Sequence, residues 1–418
     1  MRILVITSYL PWPLDSGGNA AQFATLTCLK RDHRFTLIAP VYDGQKLDHA
    51  KELQKLLPEV TIRAVVCNRQ ASGATPLRTI ARKVAALARG ALDRIEESRG
   101  SAALDLVNNP FGPLPRPLVE AADAEIRNGY DLVQAEFAEM LQLAPWLPAS
   151  IPKLFVHHQL HSVYMRRALE VGEGTAYSRY MEAVTRVEED TFLRGFDGVI
   201  TFSEADRFAL LSSMPSGKVY TSPFPVPTDV RLNSTASGHW DGRFVFLASG
   251  DHLPNVDGLE WLLSHVWPGI AESLPSCSLH VVGKWKAKIR SRLASDRIRF
   301  CGFVPEVDKL LAGSIALVPL RVGSGIRVKI LVAMASGIPV LSTSVGCEGL
   351  PVTGGVNILI ADDPQVFHTG AVALATDAKL RYGIASEGLK LVTEHYSPDK
   401  VRQRRNHIYM QLTGTDLP

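Results

Sequence analysis

The stretch "VPLRVGSGIRVKILVAMASGIPVLSTSVGCEGL", Val318 to Leu350, decides the fold. It opens on the end of the run "IALVPL", continuous apolar sequence of the kind carried by a parallel strand buried on both faces. A Gly-Ser-Gly turn follows, then a helix that is apolar almost throughout. Gly323 and Gly325 let the backbone approach a ligand closely. The first turn of a helix offers unpaired N–H groups and roughly half a positive charge. Arg327 and Lys329 add two full charges there. Ligands of open α/β sheets bind outside the carboxyl ends of the strands, so a phosphate or diphosphate is the natural occupant. GxxxxGK[ST] is absent and no GxGxxG follows a strand here, so this is neither a Walker A loop nor a dinucleotide fingerprint. The alternative is a plain turn with two solvent-facing cations. The apolar remainder of the helix weighs against it, because a buried helix carries few polar residues.

The same rhythm extends on both sides. Upstream, "RFVFLASG" reads as a strand, "DHLPNVDG" as a loop and "LEWLLSHVWPGI" as a helix; strands "CSLHVVG" and "IRFCGFV" and helix "EVDKLLAGS" follow. "IPVLSTS" is the next strand downstream. The first half opens in the same way: strand "RILVITS", loop "YLPWPLDSGGN", a helix over 19–30 and strand "RFTLIAP" form a βαβ unit. Further strands are expected at "TIRAVVC", "YDLVQAE", "IPKLFVHH" and "FDGVITFS". Gly17 and Gly18 give this half its own, weaker anion-friendly edge. The proline-rich "SPFPVPTDV" is a semi-rigid linker, with the boundary near 226. Residues 1–225 and 226–397 are then two α/β domains, and the last helix, 398–418, could run back onto the first.

The 418 residues suit two or three domains, with 46% hydrophobic and 21% charged residues, as in a globular chain with a full core. A net charge of +3 makes no demand for nucleic acid. The five cysteines are scattered without a CxxC pair, which suggests neither a zinc site nor a disulfide framework and favours a reducing compartment. The opening "MRILVITSYL" is too short a run for a signal peptide, and no apolar run reaches the ~18 residues of a spanning helix. A helical insertion over about 68–118 includes "TPLRTIARKVAALARGALDR". Its basic amphipathic helix, 76–94, is either a solvated helix on its own domain or one that lies on an anionic membrane surface.

"LFVHHQLHSVYMRR" places His157, His158 and His161 after a strand. Two helical spacings suggest metal ligation, but HExxH and a third-ligand motif are missing. A structural role at the strand end is the simpler reading. Arg166 and Arg167 could face an anionic acceptor or solvent, and Glu136 and Glu204 could be cleft carboxylates or surface residues.

Taken together, "ASGDHLPNVDGLEWLLSHVWPGI", "VVG" and "FCGFVPEVDKLLAGSIALVPLRVGSGIRVKILVAMASGIPVLSTSVGCEGL", with "ILVITSYLPWPLDSGG" and "SEADR" in the first half, resemble the GT-B fold retaining glycosyltransferases of family 4 (glycosyl transferases group 1) over nearly the whole chain. The resemblance implies a GT-B fold, two Rossmann-like βαβ domains facing across a cleft. It implies a nucleotide sugar on the second domain and a glycan or lipid-linked acceptor on the first, with retention and without a metal. The donor is a co-substrate, and no cofactor is implied. Gly17, Gly18, Gly325, Arg327 and Lys329 would hold the donor diphosphate, where fixed cations stabilise the charge that builds on the leaving group. Gly250, Val304, Gly323, Ser324, Val332 and Glu348 would line the nucleotide and sugar, and His158 would assist at the sugar. The setting implied is surface polysaccharide synthesis, in the cytoplasm or at the inner face of the plasma membrane. One departure stands out. The position three after the lysine is usually a ribose-binding glutamate, and here it is Val332. Valine accepts no hydrogen bond, and a charged one is worth roughly 1.5–3 kcal/mol. A non-catalytic, nucleotide- or partner-binding subunit therefore stands as a rival, with a GT-B nucleotide-sugar 2-epimerase ranked behind it.

Overall fold

The computed structural model describes residues 1–67, 111–171, 174–227, 235–236, 238–250, 252–304, 307–323 and 325–415. The basic helix expected over 76–94, most of the 68–118 insertion and Ser324 lie outside these residues.

Two parallel sheets organise the chain. The first contains β1 (Arg2–Thr7), β2 (Arg34–Val41), β3 (Thr61–Val66), β4 (Leu132–Glu136), β5 (Lys153–His157), β6 (Gly198–Thr201) and β7 (Val219–Thr221), in the order β3-β2-β1-β4-β5-β6-β7. The second contains β8 (Arg243–Leu247), β9 (Ser278–Val282), β10 (Ile298–Gly302), β11 (Ile315–Val318), β12 (Val340–Ser342) and β13 (Leu359–Ile360), in the order β10-β9-β8-β11-β12-β13. Both follow the doubly wound pattern in which the chain reverses direction next to its first strand. Helices cover both faces of the sheets, so β1 is apolar and fully buried over Ile3, Leu4, Val5 and Ile6, whereas its neighbour β4 buries Gln134 and Glu136 among its apolar residues. This is the two-domain α/β architecture expected from the sequence, and it sets the switch points at β1/β4 and at β8/β11.

Local differences have local causes. The first helix begins at Gly17 rather than 19 (Gly17–Leu29), because Ser16 caps it: its Oγ accepts from the Asn19 amide at 3.1 Å. Both glycines are thus helical residues and not the end of a loop. The helix read as starting at 259 starts at Leu253, passes through a π turn over Leu262–Val266 and resumes as Trp267–Ser273. Pro268 has no amide hydrogen to donate, and the wider π turn absorbs the missing bond.

The closing helix, Pro398–Thr413, packs against the first helix in the N-terminal domain. Arg402 and Asn406 reach Asp32, His33 meets Asn406 at 2.9 Å, and Val401, Ile408 and Tyr409 are buried. The chain therefore crosses twice between domains, once through the linker, where the Val226 amide donates to Tyr396 O, and once through this helix. Ile408→Ala is expected to destabilise the protein by about 2–5 kcal/mol in chemical denaturation, as for an aliphatic core residue. A helix resting loosely on the surface would lose under about 0.5 kcal/mol.

Candidate functional site

The segments after β1 and β5 meet the glycine loop and helix after β11, and Asp15 after β1 lies 3.2 Å from Lys284 after β9. The N-termini of two helices meet at this seam. A Cβ added at Gly17, the first residue of the Gly17–Leu29 helix, would lie 3.2 Å from Cγ2 of Val328, the first residue of the Val328–Ala335 helix. Two positive dipole ends pointed at one seam repel each other unless an anion lies between them. Glycines stand on both sides of this approach. A Cβ on Gly18 would fall 2.7 Å from the Tyr9 hydroxyl and 3.1 Å from the Phe137 ring. Gly323 has φ 136, and a Cβ there would be 2.5 Å from Nη2 of Arg327. Gly325 has φ 77 and packs on the carbonyl of His158 from the other domain.

The two cations of the quoted stretch lie at this seam. Arg327 Nη1 donates to Gly325 O at 2.5 Å, folding the guanidinium back over its own loop. Burial pulls its pKa down to about 10, against the pull of the Glu348 carboxylate. Lys329 donates to Oδ1 of Asn255 at 2.7 Å and lies over the Phe246 ring, 5.0 Å from its centroid. Its side chain keeps some exposure, yet the surrounding protein desolvates the ammonium, and with Arg327 nearby its pKa falls to about 7. No carboxylate is hydrogen-bonded to it among the described residues. Asn255, in the first turn of the Leu253–Trp261 helix, is held in turn by donating to Ser249 O at 2.8 Å. Val332 is buried in the core of the second domain, 8% exposed, so the sheet side of this helix offers the seam no acceptor.

Glu348 is engaged across the two domains. It forms a two-pronged ion pair with Arg167 from the opposite domain: Nη2 donates to Oε1 at 2.6 Å, and Nη1 contacts Oε2. Nη1 also donates to Gly323 O at 2.6 Å, so the same arginine touches the glycine loop. Arg167 is thus a clasp between domains rather than an acceptor-facing cation, and Arg166 lies 3.6 Å from Glu182. Glu204 is no cleft carboxylate either: it is exposed, in the first turn of the Glu204–Leu210 helix, 3.4 Å from Arg207. Gly250 is buried, and a Cβ there would strike the Trp285 indole at 2.6 Å, which accounts for the glycine by packing. Val304, just beyond β10, is half-buried against the core.

On the first domain His158 is enclosed at the tip of β5. Its ring stacks on Phe137, with centroids 3.9 Å apart, and meets the edge of Phe202. Nε2 lies 2.8 Å from Oε2 of Glu136, at the tip of the adjacent strand β4. Phe137 holds φ 72 and ψ 152, a strained setting for a side-chain-bearing residue and one that favours functional sites. His157 points the other way, 3.1 Å from the buried Glu189. That carboxylate also accepts from the His161 and Ser162 amides and the Ser162 hydroxyl, capping the helix His161–Val171 that carries Arg167. Burial opposes its ionisation, but these donors hold its pKa at about 2. Among the described residues no three histidine, cysteine or acidic side chains are grouped to hold a metal. Glu189 and Asn255 were not singled out in the sequence; only the Pro-Asn pair carried a signal, and a capping carboxylate 28 residues from its amide carries none.

A double-mutant cycle on Arg167→Ala and Glu348→Ala should give a coupling of about 1 kcal/mol, the upper end for pairs open to solvent on one side. Arg167→Ala should also raise the radius of gyration in small-angle scattering; an unchanged value would show that other contacts alone hold the domains together.

Residues 243–377 match the family model described as "Glycosyl transferases group 1". An uncharacterized 44.6 kDa protein in the cps region of Klebsiella pneumoniae is 27% identical over 157 residues, 35% of this chain and 40% of that protein. The match thus spans about two fifths of that relative's length. Among solved structures, HepE of Anabaena in complex with UDP and glucose has a TM-score of 0.66 at 13% identity, covering 98% of this chain and 99% of that one. TarM of S. aureus, in a complex that includes UDP and alpha-GlcNAc-glycerol, also scores 0.66, at 11% identity and 98% and 100% coverage. Sucrose-phosphate synthase of Thermosynechococcus elongatus scores 0.68 at 16% identity, with both chains fully covered. At such identities the likeness is one of fold. The chain therefore has the GT-B fold, and the part of it that matches the glycosyl transferases group 1 model, residues 243–377, lies in the second domain.

Proposed function

We propose that this protein is a retaining, metal-independent glycosyltransferase that moves a sugar from a nucleoside diphosphate sugar to a glycan or lipid-linked acceptor during surface polysaccharide assembly. The observation that carries the reading is the seam itself: two opposed helix N-termini, Arg327 and Lys329, with no carboxylate hydrogen-bonded to the lysine. A pyrophosphate supplies the missing negative charge, and as the glycosidic bond to it breaks, the fixed cations meet the growing charge without reorganising. The enclosed His158 lies beside the glycine loop and would hydrogen-bond the donor sugar. The UDP complexes of the structural neighbours and the cps setting of the sequence relative support donor class and pathway. Among the described residues no helix is long and apolar enough to cross a membrane. Action on a lipid-linked acceptor would then need a peripheral approach to the inner face of the plasma membrane from the cytoplasm.

The second reading is a glycosyltransferase-like subunit that binds nucleotide and transfers nothing. Two observations favour it: Val332 is buried in the core, and Glu348 is engaged by Arg167, so neither offers a carboxylate to a ribose. UDP, GDP and ADP tested by thermal shift should show one nucleotide raising the melting temperature, and Lys329→Ala should lose most of that gain. No shift with any of them would remove the diphosphate site from both readings. Incubation of the wild type with the matching nucleotide sugar, followed by mass spectrometry, then separates the two: hydrolysis or transfer supports the enzyme, and an intact donor supports the subunit.

The lowered pKa of Lys329 sets a pH dependence. Below about 7 the ammonium is already charged, and this group adds no pH dependence to binding. Above that pH, binding a diphosphate must first restore the proton. The terminal phosphate is fully ionised well above its own pKa of about 6, so it does not contribute there. Affinity for the diphosphate should fall between pH 7.5 and 9 by up to about tenfold per unit. Calorimetry in buffers of different ionisation enthalpy should show uptake of close to one proton at the upper end. A flat affinity with no proton uptake would mean that Lys329 is charged throughout in the free protein.

A further inference from the structure

A chain of polar side chains runs through the core of the first domain from the closing helix to His158. Tyr409 on that helix is fully buried, and its hydroxyl donates to Oε1 of Gln134 at 2.7 Å. Gln134, on β4, donates from Nε2 to Oε1 of Glu136 at 2.6 Å. Glu136 Oε2 then meets His158 Nε2 at 2.8 Å. Gln134 and Glu136 are 1% and 3% exposed, so water does not offer these groups alternative partners.

The direction of every bond follows from chemistry. Arg405, a donor-only side chain buried in the same helix, adjoins the Tyr409 hydroxyl and turns its proton away toward Gln134. Gln134 therefore presents its oxygen to Tyr409 and its NH2 to Glu136. A carboxylate only accepts, so the hydrogen on the His158–Glu136 bond belongs to Nε2. Phe137 and Phe202 cover the ring and restrict its rotation.

We infer that Glu136 is the positioning residue of His158: it fixes the imidazole as the Nε2–H tautomer, leaves Nδ1 as the ring's acceptor, and is itself oriented from the closing helix through Tyr409 and Gln134. The assignment of the tautomer stands on the core geometry alone. Its use, a substrate hydroxyl donating to Nδ1, rests on the glycosyltransferase reading above. The arrangement also gives the second crossing of the chain a purpose in the site: the helix that ties the domains together sets the orientation of a side chain in the crevice.

Glu136→Gln tests this by reversing the polarity. The introduced amide must keep its oxygen for the Gln134 donor, so its NH2 turns toward His158. Nε2 then accepts, and the ring proton moves to Nδ1. Long-range proton–nitrogen correlation spectra of the full chain, labelled in histidine and assigned by subtraction of a His158→Gln spectrum, read the tautomer directly. The wild type should show His158 as Nε2–H, Glu136→Gln should show Nδ1–H, and Glu136→Gln combined with Tyr409→Phe should show both forms, because the Gln134 amide is then free to reverse. If Glu136→Gln does not fold, Glu136→Asp, which withdraws the carboxylate, should give both forms. A wild-type ring protonated at Nδ1, or a tautomer indifferent to the changes at Glu136, overturns the assignment. A double variant identical to the single one overturns the part played by the closing helix. None of these readouts needs a nucleotide or a sugar, so they stand apart from any failure of the proposed transfer reaction.

Discussion

Positive electrostatic potential packed between two domains is the constraint on which the rest of this structure depends. Two helix N-termini point into one seam, and Arg327 and Lys329 add full charges that the protein only partly neutralises. Burying such charge is costly. The fold tolerates it by laying the lysine over Phe246, by giving it Asn255 as an acceptor, and by letting its proton become loosely held. Glu348 lies close enough to Arg327 to offset part of its charge, yet the Arg167 clasp occupies both of its oxygens. The result is a seam between the domains that carries positive potential.

The same constraint explains the glycines. The opposed helix ends are packed closely at Gly17, where a Cβ would crowd Val328, and the loop before Arg327 folds back at the positive φ of Gly323. Gly250 belongs to a different category. It stands where the Trp285 indole fills the space, and its smallness serves the hydrophobic core beneath the seam. Val332 likewise makes sense as a core residue.

The two domains contribute different chemistry. The second supplies fixed charge. The first supplies a histidine whose environment is controlled from all sides: aromatic rings on its face and edge, a carboxylate on one nitrogen, and a network that continues into the closing helix. Arg167 links the halves, and the helix that bears it is capped by the buried Glu189, which also holds His157. Two adjacent histidines on one strand end thus point to opposite sides, as the alternation of a β-strand requires. One becomes part of the scaffold and the other part of the crevice.

The sequence by itself determined the architecture. Continuous apolar runs alternating with glycine turns and helices define parallel strands, because a strand covered on both faces has no polar side to display. It also determined that a glycine turn followed by two cations opens a helix after a strand, since these features are local. What only the tertiary structure decided were the relations between distant residues. Arg167 and Glu348 are 181 positions apart, and Tyr409 and Gln134 are 275 apart. Nothing in the spacing of such residues records that they meet. Glu136 and His158 look like an isolated acid and one of three histidines until adjacent strands place them tip to tip. A charge in a sequence has a sign, but its partners, its desolvation and therefore its chemistry exist only once the chain has folded around it.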